Sequence, residues 1–303
     1  MKRNNIPDSA FRFPRPEFRF TVPDSIQNTR LYPLTRRMLP ELPEYAIREA
    51  FEKRDVKVNG IRVGKNDEAL PGAEVQIYTR HGQEAKQIEV LYEDDNLLVV
   101  RKPAGVSCEA DGKGGKTITE WVGEGLRTKA LTVHTPLLCH RLDNQTDGLL
   151  LLAKNEQVRS ALVAAFQNHQ IHKVYTCLVR GTPRERHGWL SAYLLKDAAK
   201  SRVRIVERPE RGALKIVTEY EVMEPGFVSR LRVTLHTGRM HQIRAQMAAI
   251  GHPVLGDDVY GDRAFNKTQK TRRLMLCATE LMFSMEGELA YMNGTHLRVE
   301  PNF

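Results

Sequence analysis

The pattern of apolar and polar residues before residue 80 predicts a short helix and several strands. Apolar residues recur at helical spacing over residues 45–53, which predicts a helix there. Residues 55–61 predict a strand, a tight turn and a second strand, because Asn59-Gly60 is a pair in which both residues tolerate positive φ. Pro71-Gly72 predicts another turn, and the alternation over 75–78 predicts a closing strand. Together these elements predict a small α/β unit.

From Ile88 onward the pattern changes to many short strands with few helices. Residues 88–92 and 97–100 are typical of strands that flank a polar turn, and helices are predicted at 155–169 and 240–250. This order of elements predicts an α+β domain built on a mixed, mostly antiparallel sheet with flanking helices.

These changes of pattern divide the chain into four segments. Residues 1–26 form an arm containing proline, arginine and phenylalanine, 27–80 a compact unit, 81–87 a polar linker, and 88–303 a larger domain. Prolines at such density disfavour a regular helix in the arm. The arm is therefore either a flexible or draped tail, or a segment that uses arginine and aromatic rings against RNA.

Composition narrows the choice of partner and compartment. The chain has 303 residues, a net charge of +9 and a pI near 9.4, which fits either a polyanionic partner or simply a basic enzyme. None of the four cysteines are paired at C-x-x-C spacing, so a zinc ribbon is not expected and a reducing compartment is favoured. No apolar run approaches the roughly 20 residues of a membrane helix. We expect a cytoplasmic protein without a membrane partner.

The segment His140–Gly148 (H-R-L-D-N-Q-T-D-G) is a polar loop followed by the apolar run Leu149–Leu152. A polar loop held between apolar segments can fix a side chain rigidly. The guanidinium of Arg141, two residues away, favours the ionised carboxylate of Asp143, which can then act as a nucleophile or a base. The alternative is an ordinary ion pair within a loop.

A second segment, 237–247 (T-G-R-M-H-Q-I-R-A-Q-M), follows a predicted strand and enters the helix at 240–250. His241 and Arg244 are three residues apart and share a helix face. Arg239 and Arg244 could present guanidinium groups near a helix N-terminus, which itself favours anions. The alternative is a basic helix that faces solvent.

Two other segments carry weaker signals. Gly256–Asp262 (G-D-D-V-Y-G-D) contains three aspartates, but their spacing does not match a calcium loop, so we interpret it as a structural turn and expect no metal site. Lys173–Gly181 (K-V-Y-T-C-L-V-R-G) alternates as a strand. Tyr175 in that strand is either a packing residue or, in view of the neighbouring motifs, a residue that stacks on a base.

Taken together, these segments resemble the RluA-type pseudouridine synthases. The resemblance covers about residues 88–290, and its motifs occur in that family's order: R-K-P-A-G at 101–105, H-R-L-D-x-x-T-x-G-L-L at 140–150, K-x-Y at 173–175, G-R-x-H-Q-I-R at 238–244 and G-H-P-x-L-G-D-x-x-Y-G at 251–261. Residues 27–80 also resemble the small αL-type RNA-binding domain first recognised in a ribosomal protein, although Glu44 stands where that family usually carries basic residues.

The family resemblance implies a catalytic set of three residues. Asp143 falls on the family's catalytic aspartate, and Arg244 on the arginine that pairs with it. Tyr175 falls on the active-site tyrosine, which stacks on the base and assists proton removal. Arg141 falls on an arginine associated with holding the flipped nucleotide and the space it leaves. We expect Arg239 and His241, in the G-R-x-H-Q-I-R segment, to contact the substrate as well.

Two positions depart from the family pattern. Position 147 is Asp where Ser is common, and position 101 is Arg where Asn is common. Asp147 adds negative charge near Asp143, which disfavours a second carboxylate anion unless Arg244 or Arg141 offsets it.

The implied reaction converts uridine to pseudouridine in structured RNA after flipping the nucleotide out of its stack. No cofactor is expected, since the reaction is redox-neutral and no dinucleotide, P-loop or H-E-x-x-H motif occurs. Ribosomal RNA is favoured as substrate, transfer RNA remains open, and a monomer is expected. Two alternatives stay open: a catalytically silent RNA-binding or ribosome-assembly protein, and an RNA glycosidase that releases uracil, which usually needs two carboxylates.

Overall fold

A computed structural model describes residues 17–26, 29–40, 42, 44–79, 88–110, 116–128, 135–197 and 202–303. The described residues separate into two compact units. The first contains those before residue 80 together with Ala110, and the second contains 88–109 and 116–303. The predicted linker 81–87, and residues 1–16 of the predicted arm, lie outside the described residues.

The first unit packs two helices against a small sheet. Its elements are β1 (Glu17–Thr21), β2 (Thr29–Arg30), α1 (Leu31–Met38), α2 (Glu44–Glu52), β3 (Val56–Val58), β4 (Ile61–Arg62), β5 (Glu68–Ala69) and β6 (Glu74–Tyr78). One sheet has the order β1-β6-β3-β4, and β2 pairs with β5. The predicted tight turn is present between β3 and β4, where Asn59 and Gly60 have φ values of 47° and 83°. The predicted helix corresponds to α2.

The expected boundary of the arm at residue 26 is wrong, because residues 17–26 belong to the first unit. Strand β1 pairs with β6, and Phe20 and Val22 are buried in the unit's core. Phe18 and Phe20 alternate with exposed Arg19, which is the period of a half-buried edge strand. Proline density misled the prediction: Pro23 follows the strand instead of interrupting it, a place where proline removes no ladder hydrogen bond.

The second unit is built on one large sheet. Its elements are β7 (Val90–Glu93), β8 (Leu97–Lys102), α3 (Ile118–Thr128), β9 (Leu137–Leu138), β10 (Asp147–Ala153), α4 (Glu156–Gln167), β11 (Ile171–Arg180), β12 (His187–Asp197), β13 (Arg202–Val206), β14 (Leu214–Glu224), β15 (Val228–Leu235), α5 (Gln242–Ala249), α6 (Arg263–Thr268), β16 (Leu276–Phe283), a 3-10 helix (Gly287–Met292) and β17 (His296–Arg298).

The sheet has the order β13-β12-β14-β15-β11-β16-β10-β8-β7, with β17 beside β16 and β9 beside β10. Among the described residues its strands pair antiparallel, except that β10 pairs parallel with β16. The predicted α+β class with a mixed, mostly antiparallel sheet is therefore confirmed. No described helix is both long and apolar enough to span a membrane.

Strand β10 is buried on both faces, which explains its unbroken run of leucines. Leu150 and Leu152 join the core cluster that contains Ile243 of α5, whereas Leu149 and Leu151 join the cluster that contains Leu162 of α4. Packing on both faces of β10 consequently fixes the start of this strand, and with it the end of the loop that contains Asp143.

Gly148 lies at a close approach between β10 and β16. Its φ is +116°, and a Cβ atom placed on it would lie 2.3 Å from the carbonyl oxygen of Ala278. Only glycine fits this approach. The glycine of the T-D-G sequence is therefore required by backbone packing. The close contact between Gly148 and Ala278 holds the end of the Asp143 loop against the sheet.

Candidate active site

Asp143 lies in the turn between β9 and β10, and buried Lys102 stabilises this turn through hydrogen bonds. The Lys102 ammonium donates to the carbonyl oxygens of Pro103 (3.0 Å), Val106 (2.9 Å) and Asn144 (3.1 Å). Burial lowers the pKa of Lys102 to about 8. Three carbonyl acceptors fix both the 103–106 turn and the residue after Asp143, so Lys102 orients the loop without contacting the carboxylate.

Arg244, from α5, is the arginine that reaches Asp143. Its Nη1 lies 3.5 Å from Asp143 Oδ2. The other side of the guanidinium makes a bidentate pair with Asp257, with Nε–Oδ2 at 2.7 Å and Nη2–Oδ1 at 2.9 Å. The side chains of Arg244 and Asp257 are 4% and 0% exposed, while that of Asp143 is 22% exposed. The arginine is thus fixed by a buried carboxylate and presents its remaining edge to a carboxylate that a substrate can reach.

The electrostatic interaction between Arg244 and Asp257 keeps both side chains ionised. Burial alone would lower the pKa of Arg244, but the hydrogen bonds and charge of Asp257 raise it overall. Burial likewise opposes ionisation of Asp257, yet Arg244 and the backbone N–H groups of Tyr260 and Val259 hold the pKa of that carboxyl below its usual value. The Arg244 charge beside Asp143 therefore persists throughout the neutral pH range.

His241 contacts the same carboxylate from the N-terminal end of α5. The helix begins at Gln242, so His241 is the N-cap residue, with a φ of 54°, and lies outside the helix predicted for it. Its Nε2 is 3.9 Å from Asp143 Oδ2, and its Nδ1 is 3.0 Å from the Tyr260 hydroxyl. Burial lowers the pKa of His241, which favours the neutral ring. If Nδ1 accepts from Tyr260, the proton on Nε2 faces Asp143.

Tyr175 lies on β11, buried in the core cluster that also contains Leu142. Burial raises the pKa of Tyr175, and the negative charge of Asp143 raises it further. The phenol therefore stays protonated at neutral pH.

The structure does not bring Arg141 to Asp143. The Arg141 guanidinium pairs instead with Glu109, and both side chains are exposed. Arg239 is also exposed, and its guanidinium makes no hydrogen bond or ion pair with another described residue. The interpretation that Arg141 supplies the counter-charge of Asp143 is wrong, because in an irregular loop residues two apart need not face each other. Both arginines remain available to a ligand.

The two departures from the family pattern lie next to each other. Arg101 Nη2 is 3.7 Å from Asp147 Oδ2, since β8 and β10 are adjacent strands. Arg273 Nη2 is 3.9 Å from the same oxygen, and Asn302 donates to it at 3.1 Å. The extra negative charge expected near Asp143 is thus balanced by Arg101 and Arg273, not by Arg141 or Arg244.

This arrangement predicts that the two departures compensate each other. Asp147→Ser alone should destabilise the folded chain by about 1–3 kcal/mol, because partly buried Arg101 would lose its counter-charge. The double variant Arg101→Asn/Asp147→Ser should recover part of that loss. The measurement is the free energy of unfolding in a double-mutant cycle, and additive effects of the two substitutions would show that the residues do not interact.

Three residues of the site carried no role in the sequence interpretation: Lys102, Asp257 and Tyr260. Asp257 and Tyr260 were assigned to a structural turn, yet they hold Arg244 and His241. The sequence did contain a signal for the role of Asp257. A buried arginine needs a carboxylate partner, and three aspartates follow α5 closely. Among the described residues no cluster of side chains suited to a metal ion occurs.

Comparison with known proteins identifies the family to which this chain belongs. The family model described as RNA pseudouridylate synthase matches residues 96–249. The chain is 32% identical over 285 residues to a protein of Salmonella typhi named ribosomal large subunit pseudouridine synthase C, covering 88% of this chain and 86% of that one. It is 32% identical over 286 residues to the protein of the same name in Escherichia coli strain K12, again covering 88% and 86%.

Solved structures show the same fold. Human RNA Pseudouridylate Synthase Domain Containing 4 matches with a TM-score of 0.59 and 22% identity, covering 73% of this chain and 93% of that one. Human RNA Pseudouridylate Synthase Domain Containing 1 matches with a TM-score of 0.57 and 24% identity, covering 72% and 85%. The family model and the bacterial relatives confirm the resemblance to RluA-type enzymes: the chain belongs to the RNA pseudouridylate synthase family and is an isomerase that converts uridine to pseudouridine in RNA.

Proposed function

We propose that this enzyme modifies uridine in the RNA of the large ribosomal subunit. The support is the name of the bacterial relatives, which are 32% identical over 88% of the chain and therefore resemble it well beyond the active-site motifs. The net charge of +9 suits a large polyanionic substrate. A ribosomal substrate also accords with a cytoplasmic location.

Asp143 is the residue proposed to start the reaction. The observation that supports this role is the difference in burial among the charged side chains around Arg244. Arg244 and Asp257 are buried, whereas Asp143 is held by Arg244 and is still partly accessible to a substrate. Asp258 also lies 3.5 Å from Arg244, but its side chain is 80% exposed. An oriented, ionised carboxylate can either attack ribose carbon 1 or remove the proton from ribose carbon 2.

The remaining steps need a closed pocket for the detached uracil. The bond between ribose carbon 1 and uracil nitrogen 1 breaks, the base turns, and ribose carbon 1 joins uracil carbon 5, which then loses its proton. Tyr175 is proposed to stack on the base. Burial and the negative charge of Asp143 raise the pKa of its phenol, which favours the protonated hydroxyl in the free enzyme.

Arg141, Arg239 and His241 are proposed to hold the substrate. The two arginines are exposed, while His241 adjoins the Asp143 carboxylate. An enzyme that flips a nucleotide must compensate for lost stacking with new contacts to the backbone and to the vacated space. Guanidinium groups suit both tasks, since they bind phosphate and stack on bases.

The ribosomal assignment predicts a specific change in cellular RNA. Deleting the gene should remove one or a few pseudouridines from large-subunit ribosomal RNA, and the wild-type chain should restore them. Mapping pseudouridines in total RNA from the deletion strain and the complemented strain is the measurement. Loss of sites in transfer RNA alone would refute the ribosomal assignment and leave the isomerase activity standing.

The first unit is proposed to bind RNA as an αL-like domain. A chain lacking residues 1–87 should therefore bind large-subunit RNA more weakly, or modify different uridines, while retaining most of its rate on a saturating minimal substrate. Binding of both forms should weaken as salt increases, with a smaller slope for the shortened chain, because fewer phosphate contacts remain. Equal affinity, slope and site choice would mean that the unit has only a structural role.

A further inference from the structure

Lys173 carries an ammonium group without a counter-charge among the described residues. It lies on β11, two residues before Tyr175, and is paired with Leu235 of β15 and Leu281 of β16. Its Nζ makes no hydrogen bond or ion pair with any residue in the described ranges. Two buried cations near Asp143, by contrast, have partners. Lys102 donates to three carbonyl oxygens, and Arg244 pairs with Asp257.

The groups around this ammonium are neutral. Nζ lies 5.0 Å from the ring centroid of Phe166. Nearby His140 is half-buried, and both burial and the charge of Lys173 lower the pKa of its ring well below the usual value. Burial lowers the pKa of Lys173 itself to about 8, so most molecules carry the charge at neutral pH. A desolvated cation with only neutral neighbours is costly unless an anion joins it.

Gly238 lies directly beside the Lys173 ammonium. A Cβ atom placed on Gly238 would lie 2.8 Å from Lys173 Nζ, so the ammonium rests directly against this glycine. Gly238 is followed by exposed Arg239 and, two residues later, by His241, which contacts Asp143. His140 begins the loop that carries Asp143. The uncompensated charge therefore lies against the segment that carries Arg239 and His241, and close to His140 at the start of the Asp143 loop.

We propose that the Lys173 ammonium binds a backbone phosphate of the substrate RNA close to the flipped uridine. The proposal rests on the RNA-modifying function given above and adds a positioning residue to it. A phosphate is the anion that every RNA substrate brings to this place, and a lysine binds it as a point charge. The missing side chain of Gly238 leaves room for the ammonium. Lys173 thereby holds the nucleotide in register with Asp143 without taking part in bond making.

The test compares the salt dependence of RNA binding in matched variants of the full chain. Lys173→Met keeps the length and apolar stem but removes the charge. Gly238→Ala keeps the charge but displaces the ammonium. Lys173→Arg keeps a cation at the site. Lys154→Met is the control, because that lysine is already paired with Glu93 at 2.9 Å. The dissociation constant for a large-subunit RNA fragment is measured over a range of salt concentrations, with single-turnover rates on the same RNA.

We expect Lys173→Met to weaken binding about tenfold at low salt and to lower the slope of log K against log salt by about 1. Gly238→Ala should weaken binding in the same direction, Lys173→Arg should keep the slope, and Lys154→Met should change neither quantity. An unchanged slope in Lys173→Met would overturn the proposal, even if its activity fell. If Lys173→Met does not fold, an unchanged slope in Lys173→Gln overturns it instead. Inactive wild-type enzyme would refute the proposed RNA substrate, a result distinct from either outcome.

Discussion

Replacing Asp143 with asparagine is expected to reduce the single-turnover rate of pseudouridine formation by about 10⁴-fold or more, as when the principal covalent or proton-transfer group of an enzyme is removed. Asparagine keeps the shape of the side chain but has neither a negative charge nor useful basicity. Binding of RNA should change little, because phosphate contacts supply most of the affinity. The measurement is the pseudouridine content of digested RNA at enzyme excess.

Asp258→Asn is the matched control for this variant. Asp258 is also 3.5 Å from the Arg244 guanidinium, but its side chain is mostly exposed and belongs to a different loop. Its substitution should alter the rate by less than about threefold, since exposed ion pairs contribute about 0–1 kcal/mol. Equal losses in the two variants would mean that the general negative field around Arg244 matters, and not the Asp143 carboxylate itself.

Removing the Arg244 side chain should damage both stability and activity. Arg244→Ala leaves Asp257 buried without its partner, and breaking a buried ion pair in this way costs about 3–5 kcal/mol. The rate should fall by about a hundredfold or more among folded molecules, because Asp143 loses the group that orients it and balances its charge. Chemical denaturation gives the first quantity, and single-turnover kinetics below the unfolding transition give the second.

A double variant separates these two effects. In Arg244→Met/Asp257→Leu both charges are replaced by apolar groups of similar size, which should recover part of the lost stability. Recovery should be incomplete, because Asp257 also accepts hydrogen bonds from the backbone of Val259 and Tyr260. Activity should remain as low as in Arg244→Ala. Restored activity in the double variant would show that Arg244 contributes to folding only.

The local pattern of the sequence was sufficient for much of the fold and for the loop that carries Asp143. Asn59-Gly60, the helix of residues 45–53 and the leucines of β10 all follow from turn chemistry and periodicity, which act over a few residues. The predictions that failed depended on position in three dimensions. Proline spacing did not reveal that residues 17–21 complete a sheet with residues 74–78, because strand pairing between distant segments leaves no local signal.

The partner of Asp143 could likewise not be predicted from local sequence. Arg141 is two residues away and was the natural choice from sequence, whereas Arg244 is 101 residues away and is the arginine that contacts the carboxylate. The family resemblance implied Arg244, but spacing alone could not. The balance of Asp147 by Arg101 was equally hidden, since adjacency of β8 and β10 is what brings the two unusual residues together.

The most direct test of the role of Asp143 is tritium release from large-subunit RNA labelled at carbon 5 of uridine. Formation of the new bond must expel that hydrogen, and a glycosidase would instead liberate labelled uracil. We expect the wild-type chain to release tritium as water without free uracil, and Asp143→Asn to release almost none under the same conditions. Near-normal release by Asp143→Asn would contradict the assignment and direct attention to Asp147, the nearby carboxylate at the start of β10.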